Sequence, residues 1–241
     1  MRIKINFKVN RGRKLPIEYN YELHMLIKNT LFEFLKKNKP KVWKRYNREF
    51  PDFTFSQLMI PNRALEYGFI IINSDYMSLL ISSYSKEFIE YLFQAFNFKK
   101  EVKIFDYDFY VKNVEIVSFP EIQDKMRFKM LSPSVFIKRI GNKIRFIKPF
   151  DPELNESFQM SIKRKLEINN LQHDNLRIKM YVDQEYAERN RVLTKLINVN
   201  GINYRAIYTP IIIEGDVELI GFCYESGIGF NTELGFGMLG V

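Results

Sequence analysis

The chain of 241 residues has one cysteine, Cys223, so it forms no internal disulfide and offers no cysteine cluster for a metal. Histidine is nearly absent too, with only His24 and His173. No compact set of Asp, Glu and His stands out; the nearest is His173-Asp174, in a polar connector that reads as solvated. No metal site is therefore expected. Long apolar runs are missing. The longest are Phe69 to Ile72 and Ile211 to Ile213, far short of the ~20 residues that span a bilayer. The first residues, Met1-Arg2-Ile3-Lys4-Ile5-Asn6, interleave charge with apolar positions and do not read as a signal peptide. A reducing cytoplasm is the expected compartment. There is one tryptophan, and only 11 glycines.

Cations and phenyl rings are plentiful. Lys plus Arg is 37 against 28 for Asp plus Glu, a formal net charge of +9. Aromatics make up 15%, with 22 Phe and 14 Tyr. Cations that neutralise phosphates and rings that stack on unpaired bases are what an RNA binder needs. Most of the Phe nevertheless belongs to core.

Patterning divides the chain into two similar halves. Ile3, Ile5, Phe7 and Val9 alternate with Arg2, Lys4, Asn6 and Lys8, which predicts a half-buried strand with a basic outer face. Arg11 to Lys14 reads as a basic turn. A helix follows from about Asn20 to Lys37, with Leu23, Leu26, Ile27, Leu31, Phe34 and Leu35 on one stripe. Lys36 to Arg48 is dense in cations, with Trp43 and Tyr46 interleaved, and reads as a loop. Strands are expected over 53–59, 67–73 and 77–82. A second helix covers 86–96 with Ser85 as its cap and Phe88, Ile89, Leu92, Phe93 and Phe96 inward. A hairpin over 102–117 completes the half, and residues 118–121 are the best candidate linker.

The second half repeats the order. Strands are expected at 127–131, 135–140 and 143–147, then a helix from Asp151-Pro152-Glu153 to about Glu167 with Asp151 as cap. Strands at 176–182, 192–199 and 204–213 precede a short helix, 217–224, capped by Asp216. Both halves follow a βαββαβ order. The expected fold is α+β: two tandem ferredoxin-like domains, 1–118 and 119–241.

The segment after that helix is the sharpest feature. Gly227, Gly229, Gly235 and Gly237 crowd into 11 residues. Glycine lets backbone approach a phosphate and adopt positive φ. The segment is neither a dinucleotide fingerprint nor a P-loop, because no long helix and no Gly-Lys-Ser/Thr follows. Asp216 to Val241 resembles the glycine-rich motif of the repeat-associated RNA-binding superfamily of CRISPR systems, and most closely the Cas endoribonucleases that cut the CRISPR repeat. Weaker likeness lies at 1–9, Leu15-Pro16, the helix from Asn20, and 128–134.

The resemblance implies metal-independent cleavage of CRISPR repeat RNA without a cofactor. The 2′-hydroxyl attacks the adjacent phosphate, leaving a 2′,3′-cyclic phosphate and a 5′-hydroxyl. Many relatives carry a His just after the first helix. Here Asn38 to Phe50 has none, and the position falls near Tyr46 or Asn47. His24 and Lys28, at i and i+4, share one side of the first helix. The expected catalytic set is Lys28, Tyr46, Lys44 and His24. Arg45, Lys41 and Arg48, together with Gly227, Gly229, Gly235, Phe236 and Gly237, are the expected RNA contacts. The expected partner is CRISPR repeat RNA, single-stranded or hairpin, with effector subunits or a second copy of the chain as further candidates and no membrane. Three alternatives stay open: a silent repeat-RNA binder, a backbone subunit of an effector complex, and a general RNA chaperone.

Overall fold

A computed structural model describes residues 1–171 and 175–241. The first half runs β1 (Arg2–Lys8), β2 (Arg13–Pro16), α1 (Asn20–Asn38), α2 (Pro40–Arg48), β3 (Thr54–Phe55), β4 (Arg63–Glu66), β5 (Phe69–Ile72), β6 (Tyr76–Ser82), α3 (Lys86–Phe98), β7 (Glu101–Ile104) and β8 (Tyr107–Val117). Its main sheet is antiparallel in the order β3-β6-β1-β8-β7. The first strand is central, between the third and fourth of the motif, and the second lies at the edge; β7 is an added hairpin strand. This is the ferredoxin-like order. Ile3, Ile5 and Phe7 face the α1 and α3 stripes, and all six stripe residues of α1 are buried. The Ser85 side chain caps α3 by accepting from Phe88 N–H at 3.3 Å.

The second half runs β9 (Lys125–Met130), β10 (Ile137–Ile140), β11 (Lys143–Phe146), α4 (Leu154–Ile168), β12 (Ile178–Val182), α5 (Gln184–Arg189), β13 (Thr194–Val199), β14 (Ile202–Ile207), β15 (Ile211–Gly215), α6 (Val217–Ser226), a 3₁₀ turn (Thr232–Leu234) and β16 (Leu239–Gly240). The sheet order β12-β15-β9-β16 repeats the same arrangement, with hairpins β10–β11 and β13–β14 as insertions. The fold is two tandem ferredoxin-like units. No described helix is long and apolar enough to cross a membrane.

Several elements differ from expectation for identifiable reasons. The basic run after α1 is a helix, because Pro40 opens it and Val42, Trp43 and Tyr46 turn one face onto the core. Arg13–Pro16 is a strand, because β5 supplies its partner. The expected strand over 53–59 is only Thr54–Phe55, since Gln57 N–H crosses to the Leu131 carbonyl at 2.9 Å instead. The expected strand over 204–213 is two strands: Tyr208-Thr209-Pro210 breaks it, and β15 enters the main sheet. α4 starts at Leu154, because Asp151 is occupied by the Lys148 N–H and Arg145 rather than by the helix. Arg2 is buried rather than on the outer face; its guanidinium donates to the Tyr224 carbonyl at 2.8 Å and lies over that ring.

Candidate functional site

The glycine segment lies between the two units, and its open sides face protein. Gly227, Gly229, Gly235 and Gly237 all have positive φ. A Cβ on Gly237 would stand 1.9 Å from the Ile228 carbonyl oxygen, and one on Gly229 2.5 Å from that of Val135. On Gly235 it would meet the Phe55 ring and the Asn20 amide, and on Gly227 it would meet Thr54 and the Gly237 carbonyl. The four glycines are buried. Phe236 is fully buried with its ring 5.3 Å from that of Tyr204. These five residues therefore do not present a surface to RNA, contrary to the sequence expectation. They thread the segment through the domain interface. Thr54 Oγ1 donates to the Phe236 carbonyl at 2.8 Å, and Asn20 Nδ2 to that of Leu234 at 2.8 Å.

The segment thereby brings Glu233 against α1. His24 Nδ1 lies 2.8 Å from the Glu233 carbonyl oxygen. A carbonyl only accepts, so Nδ1 carries the proton, and in the neutral ring Nε2 keeps its lone pair. The imidazole is stacked between Tyr21 and Phe53, with centroids at 6.3 and 6.1 Å. One turn further, Lys28 Nζ lies 5.5 Å from the Phe50 centroid and 5.7 Å from that of Phe32. The structure thus joins His24 to the glycine segment, with Lys28 one turn along the same helix.

Tyr46 shares the Phe50 ring with Lys28 but spends its hydroxyl elsewhere. Tyr46 packs among Phe50, Phe88 and Tyr91, and its hydroxyl donates to Glu87 at 3.1 Å. Burial, then the Glu87 charge, pushes that phenol well above its ordinary range. Arg45 pairs with the same carboxylate. Trp43 is half-buried, with part of its ring packed on the core. Lys41, Lys44, Arg45 and Arg48 fall within one ~100° arc of α2 and are exposed, so a run that reads as scattered charge becomes a single cationic face.

Residues that sequence reasoning missed complete the interface. Lys165, buried on α4, donates to Asp52 Oδ2 at 2.6 Å, Thr232 Oγ1 at 2.8 Å and the Ser226 carbonyl at 3.0 Å. Thr232 Oγ1 also donates to Asp52 Oδ1 at 3.1 Å. No sequence signal marks this pair, because the partners are 113 residues apart. A cleft of about 640 Å³ lies between the units, lined by Lys4, Arg63, Ser78, Tyr76, Tyr208 and Met130. Close by, burial and then the Arg63 charge lower the Lys195 ammonium from its ordinary value. Lys4, Arg63 and Lys195 have no carboxylate within ion-pair distance among the described residues. Cations without counter-charges, beside two exposed tyrosines, suit a polyanion with bases.

Among the described residues no group of three His, Cys, Asp or Glu could hold a metal ion. His173 lies outside the described residues. Cys223 is fully buried on α6, and desolvation pushes its thiol well up.

Comparison with known proteins decides the family. The family model described as "CRISPR associated protein Cas6, C-terminal" matches residues 112–241, and "CRISPR-associated protein Cas6, N-terminal" matches 14–115. The chain belongs to the Cas6 family.

Among Cas6 relatives, a Pyrococcus furiosus protein named "Putative CRISPR-associated endoribonuclease-like protein Cas6" is 27% identical over 249 residues, covering 100% of this chain and 98% of that one. A Methanocaldococcus jannaschii protein named "CRISPR-associated endoribonuclease Cas6 1" is 25% identical, covering 99% and 92%. A solved structure titled "Characterization of a Cas6-related gene from Pyrococcus furiosus" superposes with a TM-score of 0.82 at 26% identity, covering 100% and 97%. Another, titled "An RAMP protein binding different RNA substrates", gives 0.79 at 26%, covering 99% and 98%.

Proposed function

We infer that this Cas6-family chain binds CRISPR repeat RNA and cuts it between α1 and the glycine segment, without a metal. The N-terminal unit, 1–118, carries the catalytic face. The C-terminal unit, 119–241, supplies the segment that shapes it. The observation that carries the reading is the bond from His24 Nδ1 to the Glu233 carbonyl at 2.8 Å, because it leaves Nε2 as a base. His24 takes the proton of the ribose 2′-hydroxyl. The 2′ oxygen attacks the adjacent phosphorus, and the 5′ oxygen leaves. The Lys28 ammonium stabilises the crowded phosphorane and protonates the leaving oxygen. Products end in a 2′,3′-cyclic phosphate and a 5′-hydroxyl. The α2 cations and the inter-sheet cleft bind flanking nucleotides by phosphate neutralisation and stacking. This chemistry belongs to a cytoplasmic protein that acts on transcripts.

The test is incubation of the full chain with its cognate repeat RNA in EDTA. Cleavage should persist, stop with a 2′-deoxy substitution at the scissile nucleotide, and fall ~10²–10⁴-fold in His24→Ala. Wild-type cleavage that needs added divalent metal would overturn the mechanism. One observation favours a second reading: residues 38–50 hold no histidine and the Tyr46 hydroxyl is committed to Glu87. A silent repeat-RNA binder would hold the same RNA tightly and leave it whole.

A further inference from the structure

We propose that the groove between the β10–β11 hairpin and α4 is a subsite for one unpaired RNA base, guanine in preference to uracil, beside the candidate cleavage site. The proposal rests on the RNA reading above. The groove has a volume of about 490 Å³, within the ~300–1,000 Å³ of small-ligand sites. Its walls are Ile137, Ile147, Met160 and Phe230.

Phe230 is the one ring of the glycine segment that reaches a groove. It lies between Gly229 at φ 77 and Asn231 at φ 57, and its N–H donates to the Val135 carbonyl at 2.8 Å. Two successive left-handed flanks turn it away from the interface that swallows Phe236. Asn tolerates this left-handed conformation better than other side-chain-bearing residues, so Asn231 suits the turn.

The polar groups complement a nucleotide. Arg139 and Arg164 face the groove from opposite walls, are exposed, and have no described carboxylate partner, so they suit the two phosphates that flank a base. Glu156 also lines the groove without a described partner, whereas Glu153 is occupied by Lys138 and Arg145. A free carboxylate accepts from amino and imino donors. Guanine offers N1–H and N2–H on one edge, and uracil offers a single N–H beside two repelling carbonyls.

Position ties the groove to the cut. Phe230 and Arg164 also line a smaller cleft that holds Lys165, Asp52 and Glu233. Glu233 is the residue whose carbonyl holds His24. A strand leaving His24 can therefore pass the small cleft and place a neighbouring base on Phe230.

The experiment is an abasic scan. Cognate repeat RNA is made with one base removed at each position in turn, and affinity for the full chain is read by anisotropy. One position should cost the wild type on the order of tenfold. Phe230→Ala should bind intact RNA about that much more weakly and lose the penalty at that position alone. The surface variant Glu156→Ala, whose melting temperature should match the wild type, should erase the preference for guanine over uracil there. A Phe230→Ala profile identical to the wild type, or an unchanged base preference in Glu156→Ala, overturns the subsite while RNA binding stands. A wild type with no affinity for repeat RNA overturns the functional reading itself, and the subsite with it.

Discussion

The Lys165 ammonium and the Asp52 carboxylate meet at 2.6 Å across the interface of the two ferredoxin-like units, and both are largely buried. The ammonium has three donors and uses them on Asp52, Thr232 and Ser226, so it ends with none unsatisfied. Breaking such a pair from one side leaves an uncompensated buried charge. Lys165→Met should destabilise the chain by about 3–5 kcal/mol in denaturant unfolding. The double variant Lys165→Met with Asp52→Leu should recover much of that loss. A single variant with wild-type stability would show that the pair is solvated.

Gly237 gives a sharper stability test. Its vacant Cβ site is 1.9 Å from a backbone oxygen, which cannot swing aside as a side chain could. Gly237→Ala should therefore unfold the chain or lower its melting temperature sharply. Gly201, also at positive φ but in open space, provides the control: Gly201→Ala should cost only about 1 kcal/mol of backbone strain. Similar melting temperatures for the two variants would contradict the packing described here.

On α2, Lys41, Lys44 and Arg48 are exposed, with no ion pair among the described residues. Changing all three to Glu should leave the melting temperature near wild type. RNA affinity should fall, and the log–log salt slope should shrink by about 0.7 per lost phosphate contact on a single strand. An unchanged slope would move the RNA path off α2.

Asp183 carries a pH prediction. Its carboxyl is held below the ordinary value, first by the Tyr186 N–H it caps and then by Arg127. A depressed folded value means the carboxylate stabilises the fold above about pH 4, the unfolded value, and that this contribution is lost as pH falls through the folded one. Asp183→Ala should cost about 0.5–2 kcal/mol at neutral pH for the lost cap. Its stability should converge on the wild type in strong acid. A cost that does not change with pH would assign Asp183 a purely steric role.

The frame of the molecule is legible in the sequence because it rests on local periodicity. The alternation of β1 and the stripes of α1 and α3 dictate which faces are buried, and two βαββαβ orders follow from them. Glycine crowding marks the interface segment but not its direction. A positive φ is compatible with facing RNA or facing protein, and only the neighbouring backbone of Ile228 and Val135 decides between them. The α2 helix is hidden by its own cations, although Pro40 and the spacing of Val42, Trp43 and Tyr46 signal it in retrospect. The bonds of His24 to Glu233 and of Lys165 to Asp52 join residues 209 and 113 apart, and no local pattern can report them.

The threaded segment also sets an order of events during synthesis. Thr54, Asn20 and His24 wait for carbonyls made 182, 214 and 209 residues later. At ~5–20 residues per second the first sheet, complete at Val117, waits roughly 6–24 s before Phe236 emerges. Throughout that interval the Phe55 ring lacks the chain at Gly235 that packs on it. The N-terminal unit therefore keeps the Phe55 ring and the Asn20 amide uncovered until the glycine segment closes the seam.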